Sequence, residues 1–270
     1  MVRALAVFLL VGSGSAVAAA EEPYGLPLSG EAAETFLRTA RLVSRRPLGR
    51  GITHSEQYTL DDGTRTCKAV RKTIDTFKRG VTSLEGGGVY VDFTDSWKNE
   101  VAAYELDKLI GTGLVPPTVE RTFSGTKGSL QLWVEGAMTE AERIRKKLTP
   151  PDPHAWNERM YAVRLLHRLA FDTDYRNLTN LILDPSFRVY AIDFSRAFLH
   201  YNDLLAEKEL TRFSRSALEG LRALDRPLLD AKLGRWLNGP QIEGVLKRRD
   251  KILALAARRV QEQGEGAVLY

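Results

Sequence analysis

Three polar side chains, Asp174, Asn180 and Asp193, stand beside short apolar runs of the kind that form strands. Strands usually exclude Asp and Asn, so these residues either make polar turns or are held at strand ends for chemistry. The runs "NLILD" and "FRVYAID" predict a hairpin turning at "DPS". Asp174 precedes this hairpin, Asn180 opens its first strand and Asp193 closes its second, so all three should meet at one end. Two carboxylates and an amide oxygen there can hold a hard cation such as Mg²⁺, which usually sits on substrate phosphates.

The elements that must position these residues change in type along the chain. The first part predicts mainly strands and the second mainly helices, by their apolar periodicity and their capping and turn residues. This order predicts an α+β chain with a small β-rich lobe followed by a mostly helical lobe. The predicted elements are a helix over 30–43 capped by Ser29, strands over 54–60 and 64–74 around an Asp62-Gly63 turn, an amphipathic helix over "DSWKNEVAAYELDKLIG", strands over "VPPTVERTF" and "GSLQLWVEGAM", a helix over "AWNERMYAVRLLHRLAF", and helices after residue 199.

The N-terminus has the pattern of a secretory signal peptide. Arg3 is followed by a short apolar run, and Ala16, Ala18 and Ala20 offer small residues for cleavage near Ala20. The division we expect is a signal peptide over 1–20, a helical extension over 21–46, a small lobe over 47–136 and a helical lobe over 137–270. The mature protein should therefore be secreted or periplasmic, and no later run is apolar enough to span a membrane.

Composition bounds the function only loosely. The chain has 270 residues, 43% of them hydrophobic, and a net charge of +5, as expected for a globular protein. Its Lys and Arg are dispersed, which indicates a solvated surface and no nucleic-acid partner, or else attraction to a phosphorylated or acidic ligand. The single Cys67 excludes an internal disulfide and is interpreted as a small buried residue. The four histidines lack metal-ligand spacing and are interpreted as structural.

The order of motifs from Gly49 to Phe198 resembles the atypical branch of the protein-kinase-like superfamily. That branch includes phosphoinositide kinases, HipA-like kinases and secreted Golgi-type kinases. A strand carrying "AVRK", a helix with an early glutamate, an Asp–Asn loop and "IDFS" follow one another as in that superfamily. The resemblance implies a bilobal protein-kinase-like fold, with ATP and Mg²⁺ as cofactors and a hydroxyl-bearing protein, sugar or lipid headgroup as acceptor.

For the nucleotide, the resemblance implies roles in the small lobe. Lys72 would contact the phosphates, with Lys68 on the same strand face as the alternative. Glu100 would pair with that lysine, and Glu105 is a weaker candidate. The remaining implied positions are Gly49, Gly51 and Thr53 of "GRGIT" in a loop over the phosphates, and Trp133, Val134 and Glu135 of "QLWVEG" in a hinge that binds adenine.

For the chemistry, the resemblance makes Asp174 the catalytic aspartate, and Asn180 and Asp193 the metal ligands. The superfamily spacing is Asp-x-x-x-x-Asn, whereas "DYRNLTN" from Asp174 to Asn180 holds one residue more. Asp172 and Asn177 have the usual spacing and stay open as alternatives. Ser195 stands where the superfamily commonly has Gly.

Two functions follow from this resemblance. The first is an exported kinase that transfers the γ-phosphoryl group of ATP to a hydroxyl. The second is a nucleotide-binding pseudokinase without turnover, which the irregular loop spacing and the scarcity of ATP outside a bacterial cytoplasm both favour. The chain does not indicate which acceptor would be used.

Overall fold

The computed structural model describes residues 25–49, 55–83 and 89–270. The predicted signal peptide and the loop positions Gly51 and Thr53 lie outside these residues. The strands are β1 Arg41–Pro47, β2 Glu56–Asp61, β3 Thr66–Lys72, β4 Asp75–Ser83, β5 Val89–Ser96, β6 Thr118–Phe123, β7 Thr126–Leu132, β8 Met138–Thr139, β9 Leu181–Leu183 and β10 Val189–Ala191. The helices are α1 Gly30–Thr39, α2 Trp97–Ile110, α3 Glu140–Arg145, α4 Pro153–Leu169, α5 Arg215–Ala223, α6 Arg226–Leu233, α7 Gly239–Gln263 and α8 Glu265–Val268.

A five-stranded antiparallel sheet in the order β1-β2-β3-β7-β6 forms the body of the small lobe. Because side chains alternate along a strand, Cys67 and Ala69 of β3 face the apolar side of α1, while Val70 and Lys72 face a cavity between the lobes. Cys67 is buried in this core, as the sequence predicts. The predicted α+β architecture, with a β-rich small lobe and a helical large lobe, is confirmed.

The helix predicted over 30–43 is shorter than expected. It ends at Thr39, and residues Arg41–Pro47 form β1, which pairs with β2. The apolar residues at helical spacing stop at Ala40, and Val43 suits a strand as well as a helix. Pairing with the edge of the sheet decides the outcome, so part of the predicted helical extension belongs to the small-lobe sheet.

The hairpin β4–β5 leads directly into α2, the main helix of the small lobe. Ser96 caps α2 by accepting from the Lys98 N–H, and Gly111 ends it in the left-handed conformation. This fixes the first turn of α2, and with it Glu100, beside the end of β3.

The large lobe forms around α4, α5 and α7, which share its apolar core with the buried face of α2. The large lobe also contains a small sheet in the order β10-β9-β8, which carries the predicted polar hairpin. Within residues 25–49, 55–83 and 89–270, no helix has the length and apolarity that a membrane span requires.

Candidate active site

Lys72 at the end of β3 bonds two carboxylates from different parts of the fold. Its Nζ lies 2.6 Å from Oε1 of Glu100 and 2.7 Å from Oδ1 of Asp193. The predicted ion pair between Lys72 and Glu100 is therefore present, and it extends to Asp193. Lys68, on the same face of β3, instead lies 3.0 Å from Glu135. Geometry thus brings Lys72, and not Lys68, to the Asp193 loop.

The first turn of α2 is bonded to the backbone that follows Asp193. Glu100 accepts from the Phe194 N–H at 3.2 Å, and Asn99 donates to the carbonyls of Ser195 and Ala197 at 2.8 and 2.9 Å. Both side chains are buried, at 2% exposure. Because buried polar groups without partners are costly, these bonds hold α2 close to the loop.

Burial and charge act against each other in this cluster. Burial alone would lower the pKa of Lys72, but the charges of Asp193 and Glu100 raise it above its usual value. Burial raises the pKa of Glu100 to about 7, although Lys72 opposes the change. Burial would also raise the pKa of Asp193, but Lys72 holds it below its usual value. The positive charge of Lys72 therefore stabilises mainly the ionised form of Asp193. Ionisation of Glu100 costs free energy, because its side chain is buried.

This order of ionisation predicts a pH-dependent stability. In the unfolded chain the Glu100 pKa has its ordinary value of 4.5, and in the folded protein it is about 7. The folded state therefore binds a proton that the unfolded state has lost, and this stabilisation, full below the lower value, disappears as pH rises through the higher one. We expect the free energy of unfolding of the ligand-free protein, measured in urea, to fall between roughly pH 5 and pH 7. The fall should be about 2–3 kcal/mol larger than in the Glu100→Gln variant. The depressed pKa of Asp193 acts only at lower pH. Equal pH dependence in the two proteins would contradict this prediction.

The loop before β9 brings Asp174 and Asn180 together despite its extra residue. Asn177 N–H donates to the Asp174 carbonyl and Asn180 N–H to the Asn177 carbonyl, both at 2.9 Å, so two successive turns absorb the additional length. The Asp174 carboxylate then accepts from the side-chain amides of Asn177 at 3.1 Å and Asn180 at 3.0 Å. Asp174, Asn177 and Asn180 are therefore joined at a single atom, Oδ2 of Asp174.

Asp172, the alternative to Asp174, has a different environment. It is buried at 1% exposure, and Oδ2 lies 2.6 Å from Nδ1 of His167. Its Oδ1 accepts from the Asp174 N–H at 2.9 Å. The His167 ring in turn stacks on Phe194, with ring centroids 5.2 Å apart. Asp172 therefore supports the loop from inside, and only Asp174 is partly exposed.

The two candidate metal ligands are joined through the ends of the hairpin. The Ile192 N–H donates to the Asn180 carbonyl at 2.9 Å, which places Asp193 next to Asn180. Asp193 has φ of 61°, a left-handed conformation that is uncommon outside Gly and turns its side chain toward Lys72. A third of its side chain is exposed.

This set of donors fits Mg²⁺. Magnesium is usually bound by one or two carboxylates together with substrate phosphates and waters. Asn180 uses its amide nitrogen on Asp174, which directs its amide oxygen elsewhere, and Asp193 offers a carboxylate that is partly exposed at the same cavity. Among the residues described, no cluster of three or more His, Cys, Asp or Glu side chains could form a metal site made of protein ligands alone.

A cavity of about 810 Å³ between the lobes connects these groups. This volume lies within the range typical of small-molecule sites. Lys72, Asn180 and Asp193 line its polar end, while Val70 and Ile182 belong to its apolar walls. The cavity therefore offers an apolar space next to a cluster of charged and amide groups.

Only part of the predicted hinge lines this cavity. Trp133 and Val134 line it, but Glu135 does not. The backbone N–H and carbonyl of Glu135 both pair with Gly25, at 2.8 and 3.0 Å, and its side chain pairs with Lys68. Glu135 thus ties the N-terminal segment to the hinge, and of the three residues expected to bind adenine only Trp133 and Val134 line the cavity.

The predicted phosphate loop is only partly described. Gly49 has φ of 50°, a conformation that favours glycine, and its neighbour Leu48 lines the cavity, as does Ser55 on the other side of the loop. The structure therefore places both ends of this loop at the cavity.

Sequence reasoning missed the residues that support the site from behind. Asn99 carries no signal except its position beside Glu100, and the pairing of His167 with Asp172 joins a helix to the loop after it. Both residues act through bonds to backbone or to another side chain, which residue type alone does not disclose. His167 is structural, as predicted for the histidines.

The sequence matches no known family model and no curated protein. Solved structures do match its fold. A hydra Fam20 protein solved with a sugar has a TM-score of 0.62 at 13% identity, over 87% of this chain and 90% of that one. The Golgi casein kinase has a TM-score of 0.64 at 15% identity, over 90% and 78%, and was also solved with Mn/ADP bound. The Helicobacter pylori proinflammatory kinase CtkA has a TM-score of 0.54 at 10% identity, over 84% and 98%.

At these identities the likeness concerns the fold. The chain has a protein-kinase-like fold over most of its length, and the fold expected from the sequence resemblance is confirmed.

Proposed function

We propose that this protein is an exported kinase that transfers the γ-phosphoryl group of ATP to a hydroxyl acceptor. Trp133 and Val134 would bind adenine, the apolar walls would enclose it, and the phosphates would extend toward Lys72. The loop over Gly49, Gly51 and Thr53 would cover them. The relative solved with Mn/ADP supports a nucleotide and a divalent cation in this fold.

Four residues would share the chemistry. Lys72 holds its charge beside Asp193 and Glu100, so it can orient a phosphate without losing its proton. Mg²⁺, held by Asn180 and Asp193, would neutralise charge on the phosphates. Asp174, adjacent to Asn180, would orient the acceptor hydroxyl or accept its proton. Asn177 and Asn180 keep the Asp174 carboxylate in one orientation.

The observation that carries this proposal is that Lys72, Asn180 and Asp193 line one cavity, while Glu100 bonds to Lys72 and Asp174 to Asn180. Lys72 comes from β3, Glu100 from α2, and the other three from the segments that flank the β9–β10 hairpin. The bond between Lys72 and Asp193 crosses between the lobes. An ion-pair network with a solely structural role would not need a cavity of nucleotide size beside it.

The proposal is tested by binding and by turnover. Mg²⁺-ATP should raise the melting temperature of the mature protein, and radiolabelled ATP should transfer its γ-phosphate to a casein, sugar or lipid acceptor. Binding without phosphate transfer or release would exclude the kinase, and absence of binding would exclude any nucleotide function.

A nucleotide-binding pseudokinase is the second candidate. One observation favours it: Oδ2 of Asp174 is occupied by two amide donors, which compete with an acceptor hydroxyl for the carboxylate. The same binding and turnover measurements separate this candidate from the first, because it predicts a melting shift without transfer.

Export rests on the N-terminal sequence and supplies a prediction of its own. Protein recovered from the exported fraction of the expressing cell should begin near Glu21, as determined by N-terminal sequencing. Recovery only of a cytoplasmic form that retains Met1 would contradict export, and would leave the kinase proposal intact.

A further inference from the structure

Tyr175, the residue after Asp174, is enclosed by two arginines. The guanidinium carbon of Arg168 lies 3.9 Å from the Tyr175 ring centroid, and that of Arg176 lies 5.2 Å from it. Arg168 is at the end of α4 and its side chain is 2% exposed, whereas Arg176 belongs to the loop itself and is mostly exposed. The loop over residues 172–180, which we call the catalytic loop, is therefore stacked on a buried cation.

One carboxylate, that of Glu209, contacts both arginines. Nη2 of Arg168 donates to Oε2 of Glu209, and Nη2 of Arg176 lies 4.0 Å from Oε1. Burial lowers the pKa of Arg168, and the charge of Glu209 opposes that change. Since a buried cation without a partner is costly, Glu209 helps to fix Arg168 under Tyr175.

The position of the Glu209 carboxylate is fixed by the segment that contains it, residues 199–213. Glu209 is the last residue of a 3₁₀ turn, Glu207–Glu209, and the residue before this turn, Ala206, has the left-handed conformation. The next residue, Leu210, is buried at 1% exposure. The carboxylate of Glu209 therefore reaches the catalytic loop from a segment anchored on the large lobe.

We propose that Glu209 is a positioning residue for Asp174, acting through Arg168 and the ring of Tyr175. A pair of arginines around one anion is an arrangement that phosphorylation creates in other proteins when it orders a segment. Here a glutamate supplies the anion permanently. This proposal rests on the proposed kinase function for its effect on rate, but the ordering of the loop can be measured separately.

The test compares Glu209→Gln with Glu207→Gln, two identical substitutions in one 3₁₀ turn. Glu207 contacts the exposed Arg258 and no residue of the catalytic loop, so it is a matched control. We expect Glu209→Gln to lower kcat by about 10–100-fold, since small misplacements of a reacting group have effects of this size. The KM for ATP should stay close to that of wild type, and hydrogen exchange over 172–180 should become faster. The melting temperature should fall, because the buried Arg168 charge loses its carboxylate. Glu207→Gln should change none of these.

Each outcome decides between the alternatives. Unchanged kcat and unchanged exchange over 172–180 in Glu209→Gln would overturn the proposal. Parallel losses in kcat and ATP affinity would also overturn it, because they indicate a general structural role. If wild type binds no Mg²⁺-ATP and transfers no phosphate, the kinase function fails. In that case the exchange measurement alone still decides whether Glu209 orders the loop.

Discussion

Replacing Asp174 by Asn is expected to suppress phosphoryl transfer by about 10²–10⁴-fold, the usual contribution of a general base. Nucleotide affinity should stay within a few-fold of wild type, because Asp174 lies beside the proposed metal ligands but is not one of them. Asn keeps the size of the side chain and one oxygen that can accept from Asn177 or Asn180. The measurement is the rate of γ-phosphate transfer together with the Kd for Mg²⁺-ATP.

Two further variants make this result specific. Asp203→Asn removes a carboxylate that pairs only with Lys251 at the surface, and should leave both quantities unchanged. Asp172→Asn should instead lower the melting temperature, because Asp172 is buried against His167. Full transfer activity in Asp174→Asn would exclude Asp174 as the base, and a rate loss confined to Asp172→Asn without loss of stability would move that role to Asp172.

Replacing Asp193 by Asn is expected to weaken Mg²⁺-dependent ATP binding by roughly 10–100-fold. This range applies to the loss of residues that support metal ligands, so it is a lower bound for the loss of a ligand itself. Asn tolerates the left-handed conformation of Asp193 well, so the change isolates the charge from the backbone. Binding of ATP without Mg²⁺ should not weaken, since Lys72 then loses a competing carboxylate. Titration calorimetry with and without Mg²⁺ measures both constants.

Asp92→Asn is the matched control for this experiment. Asp92 also has positive φ, 55°, and accepts hydrogen bonds from Gly80 and Tyr201 outside the cavity. It should affect stability but not the Mg²⁺ dependence of ATP binding. Wild-type affinity in Asp193→Asn would show that the hairpin is structural, and the proposed metal site would then be wrong.

The sequence by itself determined the type and order of the elements and several members of the site. Alternation along β3 put Lys68 and Lys72 on one face, and capping residues placed Glu100 in the first turn of α2. These are local properties, because strand periodicity and helix caps depend on residues close in the chain. The order of motifs was enough to indicate the fold that the solved structures confirm.

Only the tertiary structure decided between alternatives that are locally equivalent. Lys68 and Lys72 share a face, and the lobe arrangement alone brings Lys72 to Asp193 and Lys68 to Glu135. Pairing of β1 with β2 likewise converted the end of a predicted helix into a strand. Such choices depend on contacts between residues far apart in the chain, and these contacts override local preference.

The loop before β9 shows the same division most clearly. Spacing alone left two Asp–Asn pairs open, since an extra residue can move a side chain in any direction. Two successive turns return Asn180 to Asp174, while the buried Asp172 pairs with His167 of α4, which stacks on Phe194. The physical reason is that hydrogen bonding and burial of the whole loop, and not the number of residues in it, select which carboxylate stays exposed.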